Sequence, residues 1–177
     1  MQPRKPQIVP LFINETIIMK PLQEWFDEYG ESHQNNTNKL IHWVCIPAIF
    51  YSIIALLASI PAPYFAAIVP DAILPIAHWG TVLVLVGLIF YLVHSFAMFL
   101  GILVYSAFCL LLVVWFNTLS MPLWQSSLLI FIVAWIGQFY GHKIEGKKPS
   151  FFKDVQFLLI GPAWLIGFIY KKMGIRY

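Results

Sequence analysis

The sequence is short of charge. Only 11% of its 177 residues are Asp, Glu, Lys or Arg, while 60% are hydrophobic, against roughly 25% charged in an ordinary soluble domain. Between Lys39 and Lys143 the single formally charged side chain is Asp71. A soluble fold of this size cannot hide so long an uncharged stretch, whereas a bilayer accepts it because lipid takes the place of water. The two cysteines, Cys45 and Cys109, both lie in apolar runs, which excludes a disulfide framework and reads as two small buried side chains. A net charge of +3, with the basic residues set at the ends of apolar runs, excludes nucleic-acid binding. The apolar stretch after Arg4 and Lys5 is short and broken by Pro10 and Asn14, so no cleavable signal peptide is expected. Gly-rich phosphate loops, Cys-x-x-Cys, His-Glu-x-x-His, clustered His-x-x-His-His boxes and a nucleophile elbow are all missing. The deep apolar segments also lack the ionisable residues of an ion-coupled transporter.

What is present is an all-α pattern, expected to form a single membrane domain over 1–177. A polar N-terminal segment occupies 1–39. Within it, Leu22, Trp25, Phe26 and Tyr29 recur at helical spacing behind Pro21, with Glu24, Asp27, Glu28 and Glu31 mostly off that face. The spacing predicts an amphipathic helix. Its acidic face makes docking onto the membrane domain the better expectation than binding to anionic lipid. Four crossings are predicted over 40–142. The first runs from about Leu40 to Ile60, long enough for a hydrocarbon core of roughly 30 Å. A Pro-punctuated loop or partly embedded hairpin carrying Asp71 follows. The uncharged stretch from Trp79 to Leu119 is too long for one crossing and right for two, turning near His94-Ser95 and Gly101. The fourth runs from about Leu123 to Gly141. Residues 143–177 form a polar loop and a C-terminal apolar stretch, Val155 to Tyr170, broken by Gly161-Pro162. That stretch is short for a span and is expected to be re-entrant. The Lys and Arg clusters before the first crossing and after the fourth lie on one side, which the positive-inside rule makes cytosolic. Either a bacterial inner membrane or the endoplasmic reticulum suits the pattern, and nothing in it specifies an oligomer. On this topology the glycosylation-type triplets at Asn14 and Asn35 go unused.

Topology also sorts the histidines. His33, His42, His94 and His142 fall at one membrane face and His78 near the other. His33 and His42 are nine residues apart. One continuous helix would set them on opposite sides, at roughly 100° per residue, but the intervening Gln34-Asn35-Asn36-Thr37-Asn38 is a polar break that lets two helices fold the rings together. His142 and Glu145, three apart, share a helix face, a His-plus-carboxylate spacing found at iron sites in bundles. Two or three His with a carboxylate suit Fe(II) with open positions. Gln138, one turn before His142, is placed to orient it. Gly137 and Gly141 form a small-xxx-small pair for close packing. Interfacial histidines with a wet tip are the plainer alternative, and His78 and His94 are assigned there.

Two segments carry a family resemblance. Tyr29-Gly-Glu-Ser-His33 with Asn38, His42 and Pro47, and Trp135-Ile-Gly-Gln-Phe-Tyr-Gly141-His142 with Glu145 and Pro149, resemble the two signatures of a small membrane family long catalogued as domain of unknown function 962. Its type member is a fungal 2-hydroxy-palmitic acid dioxygenase of the endoplasmic reticulum. The resemblance runs from about Leu22 to Pro162. It implies an Fe(II)-dependent dioxygenase that shortens 2-hydroxy fatty acids by one carbon, with His33, His42 and His142 on the iron and Glu145 as a further candidate ligand. Gln138, Asn38 and Tyr29 are expected around them. Two residues, where the family pattern has three, separate His142 from Glu145. Phe168 stands where the family tends to carry an acidic residue after the proline. Partners are then a fatty-acid or lipid substrate, molecular oxygen and the membrane lipids, with Lys143 and Lys147 (beside Lys148) placed to attract an anionic head group. The competing readings are a membrane scaffold or channel with interfacial histidines, and a Zn-dependent lipid hydrolase.

Overall fold

The computed structural model describes residues 20–146 and 157–177. Lys147, Lys148, Pro149, Val155, Arg4, Lys5 and the Asn14 triplet lie outside the described residues. Among those described, every regular element is helical. Helix α1 spans Leu22–Gly30, α2 Asn36–Ala58, α3 Phe65–Ile68, α4 Trp79–His94, α5 Phe96–Phe116, α6 Leu123–Glu145 and α7 Ile160–Met173, with a 3-10 turn at Leu74–Ile76.

Helix α1 follows Pro21, as the pattern predicts, and buries Leu22, Phe26 and Tyr29. Its apolar face packs on α7, where Tyr29 meets Trp164 edge-on at 5.2 Å, and Phe157 of the turn before α7 at 5.3 Å. This is docking onto the helical body. The Asn-rich break then ends in an N-cap. The Asn35 side chain accepts from the backbone N–H of Thr37 and of Asn38, satisfying two donors that the first turn of α2 leaves open.

Helix α2 is the hub, packed against α4, α5, α6 and α7, with its most extensive contact on α6. Among the described residues three helices, α2, α5 and α6, are long and apolar enough to cross a membrane. Helix α4, at the second of the four expected crossings, is shorter. This helix has 16 residues, about 24 Å at 1.5 Å per residue, and falls short of a hydrocarbon core of roughly 30 Å. It ends early because Ser95 turns the chain. Its backbone is extended and its hydroxyl accepts from Met98 N–H to start α5 at the next residue. Gly101, expected at this turn, lies inside α5. The Pro-rich segment after α2 is a surface loop holding α3 and the 3-10 turn, neither with a buried residue. Gly161-Pro162 does not break the C-terminal helix either. Both fall in the first turn of α7, where the missing proline N–H costs nothing.

Close approach between α2 and α4 rests on Gly80. A Cβ there would stand 2.3 Å from the carbonyl oxygen of Ile54, so backbone would have to move. Gly80→Ala is expected to destabilise the bundle by about 1–3 kcal/mol, read as a thermal unfolding midpoint lowered by several degrees in detergent.

Candidate metal centre

Three histidines from three elements meet at one end of the α2–α6 pair. His33 follows α1 in the turn that ends it. Its Nδ1 lies 2.6 Å from the carbonyl oxygen of Tyr29. A carbonyl only accepts, so Nδ1 carries the hydrogen and Nε2 keeps its lone pair. The ring stacks on Tyr29, centroids 4.3 Å apart, and Trp164 lies 5.3 Å away. His42 repeats the device two turns into α2, its Nδ1 donating to Asn38 O at 2.9 Å. There too Nε2 keeps its lone pair. It makes no well-formed hydrogen bond among the described residues, although the buried Gln138 side chain lies close to the ring. His142 comes from the last turns of α6. Ring centroids are 4.2 Å apart for His33 and His42, 5.5 Å for His33 and His142, and 5.2 Å for His42 and His142.

All three ligand nitrogens lie within 4.8 Å of one another. Three nitrogens on one ion, each about 2.1 Å from it, stand roughly 3–3.5 Å apart, a gap that small ring rotations close. Exposures are 2%, 0% and 4% for His33, His42 and His142. Interfacial histidines would show wet tips; these three do not. Buried nitrogens held in one tautomer by main-chain carbonyls are how metal-binding imidazoles are oriented. The donor set therefore fits a borderline divalent metal such as Fe(II) or Zn(II).

Glu145 is not among the three. Its carboxylate accepts from the backbone N–H of Gln34 at 2.8 Å, that of Asn35 at 2.9 Å and Asn38 Nδ2 at 2.9 Å. Those donors belong to the break between His33 and His42, so Glu145 ties the end of α6 to the start of α2. Its oxygens are engaged by these three donors. Asn38 is completely buried. Its Nδ2 also reaches Ser32 O at 3.2 Å, and its main-chain oxygen holds His42.

The small-residue pair on α6 is where α2 comes closest. A Cβ at Gly137 would stand 2.6 Å from Cys45 Sγ, and one at Gly141 only 2.3 Å from Asn38 Oδ1 and 3.3 Å from His42 Cε1. Gly141→Ala must therefore displace Asn38, and His42 with it. Metal affinity is expected to fall about 10–100-fold, the usual cost of losing an orienting partner, measurable by competition with a fluorescent chelator.

A family model described as 2-hydroxy-palmitic acid dioxygenase Mpo1-like matches residues 19–173. The chain belongs to the Mpo1-like family. No curated protein and no solved structure matches it. The Mpo1-like match contains all three histidines together with Tyr29, Asn38, Gln138 and Glu145.

Beside the Mpo1-like histidine cluster the structure adds residues that spacing did not single out. A pocket of about 320 Å³ opens onto His33 and Trp164, and the lysines on its wall are Lys39 and Lys171. Lys143, expected near a head group, is exposed on the last turn of α6 and is not among the described residues lining that pocket. Lys39 and Lys171 had a legible signal, each lying one helical turn from an aromatic, Trp43 and Phe168. Their meeting is set by how α7 packs across α2.

Proposed function

We propose that this chain is a membrane-embedded, Fe(II)-dependent dioxygenase that shortens 2-hydroxy fatty acids by one carbon. The observation that carries the reading is the buried His33–His42–His142 cluster in a chain of the Mpo1-like family. His33, His42 and His142 would hold the ion through neutral nitrogens. These three ligands add no charge of their own, so they leave the double charge of the ion to meet an anionic substrate. Bound iron would supply the activation of oxygen. Tyr29 O and Asn38 O hold two of the rings in their ligand tautomer, Glu145 holds the break that carries them, and burial keeps bulk water away. Converting R–CH(OH)–COOH and O2 to R–COOH, CO2 and H2O balances in atoms and electrons without an external reductant, so no electron-transfer partner is needed. On this reading the chain crosses the membrane several times with its N-terminus on the cytosolic side, and the cluster meets the head group of a substrate whose tail stays in lipid.

Three neutral nitrogens are also the donor set of catalytic zinc, which gives a Zn-dependent lipid hydrolase as the second reading. An oxygen electrode separates the two. Detergent-purified protein loaded anaerobically with Fe(II) is expected to consume one O2 for each chain-shortened acid formed from a 2-hydroxy fatty acid, and none with the unhydroxylated acid. The zinc-loaded protein should consume none with either. Ester cleavage by the zinc form without oxygen uptake would replace the dioxygenase with the hydrolase.

A further inference from the structure

Helix α7 separates two cavities on adjacent faces. One is the polar pocket onto which His33 opens, with Trp164, Phe168 and Lys171 of α7 and Lys39 of α2 on its wall. The other is an apolar groove of about 640 Å³ between α2, α5 and α7, within the usual size range of ligand sites. Trp43 and Pro47 of α2, one and two turns beyond Lys39, line the groove. The Trp43 ring on the groove and the Phe168 ring on the polar pocket lie 6.4 Å apart.

Charge in the polar pocket is divided. Asp27 of α1 and Glu31 just after it line the pocket together with Lys39 of α2 and Lys171 of α7. Neither lysine has an ion-pair partner among the described residues. A carboxylate in this pocket is repelled by the two acids and drawn to the lysines, each one helical turn from a member of the Trp43–Phe168 pair.

We propose that the two cavities form one binding site for a long-chain carboxylate. The head group lies between Lys39 and Lys171 beside His33, and the alkyl chain passes the Trp43–Phe168 pair into the α2–α5–α7 groove. This deepens the dioxygenase reading and rests on it for the 2-hydroxyl group. The groove acts by shape, because an alkyl tail gains little on leaving lipid for an equally apolar wall. The lysines act by charge and fix which end enters the pocket. Trp43 and Phe168 are positioning residues, and Val104, an exposed groove residue, limits the length of chain that fits.

The test uses full-length protein in uncharged phosphatidylcholine nanodiscs and a 2-hydroxy fatty acid carrying a photoreactive diazirine at its tail end. Adducts mapped by mass spectrometry are expected on groove residues such as Leu100, Val104 and Ile169. They should fall by about 3- to 30-fold, the loss of two exposed charge pairs, in the Lys39→Gln, Lys171→Gln double variant and also with the methyl ester of the probe on unaltered protein. Val104→Trp should move the preferred chain length downward. Adducts spread over other lipid-facing residues such as Leu85, Leu129 and Val133, and indifferent to the ester, would overturn the site and leave ordinary bilayer lipid in the groove. The readout does not need turnover. Groove adducts from a protein that consumes no oxygen would leave this site standing and remove the dioxygenase. Turnover with scattered adducts would do the reverse.

Discussion

Replacing any one of His33, His42 or His142 by Ala is expected to release the metal from the detergent-purified protein, from about one ion per chain to almost none. Each ring supplies one nitrogen of a set that lies within 4.8 Å, and the remaining two hold a divalent ion far more weakly. The loss of activity should exceed the about 10–100-fold that outer partners cost. The bundle should survive, because α2 packs extensively on α6 and also on α4, α5 and α7. Elemental analysis beside helical circular dichroism checks both halves. Retention of metal by any one variant would remove that histidine from the site. His94 serves as the comparison: it lies at the end of α4, its Nδ1 donates to Phe90 O at 2.8 Å, and His94→Ala should keep the ion.

Glu145→Ala is the second large effect, and it should separate positioning from ligation. The carboxylate accepts from two backbone N–H groups and from Asn38 at the end of α2 where negative charge is favoured. Its removal leaves the His33–His42 break untethered. A stability loss of about 1–2 kcal/mol is expected from these partly exposed charge-assisted bonds. Metal affinity should fall about 10–100-fold, and saturating iron should restore much of the turnover. Glu145→Gln, which keeps an acceptor oxygen, should lie between the two. If Glu145 were itself a ligand, neither variant would be rescued by excess iron. A chelator titration with activity read at low and high iron distinguishes the two patterns.

Much of the site was legible because its parts obey local rules. The Asn-rich break announces an N-cap at Asn35, and once α1 and α2 are separated, His33 and His42 no longer stand on opposite sides of one helix. Gly137 and Gly141 announce close packing, and α2 supplies it. Glu145 was half legible. Spacing put it on the face of His142, but what its carboxylate meets depends on how α6 lies against α2, which no periodicity encodes. The same holds for Trp164, Lys39 and Lys171, which meet only through the crossing of α7. The uniform hydropathy of 79–119 hides the break at Ser95. There the signal is a hydroxyl with a capping preference rather than any change in apolarity. Gly161-Pro162 misled for a related reason, since proline interrupts a helix interior but is at home in a first turn.

The most direct test of the central claim is X-ray absorption at the iron edge of the anaerobically loaded protein. The account predicts one iron per chain with three imidazole nitrogens at about 2.1 Å, falling to fewer imidazoles or to no bound iron in His42→Ala. Iron surrounded only by oxygen ligands, or the same three-imidazole spectrum in His42→Ala, would contradict it.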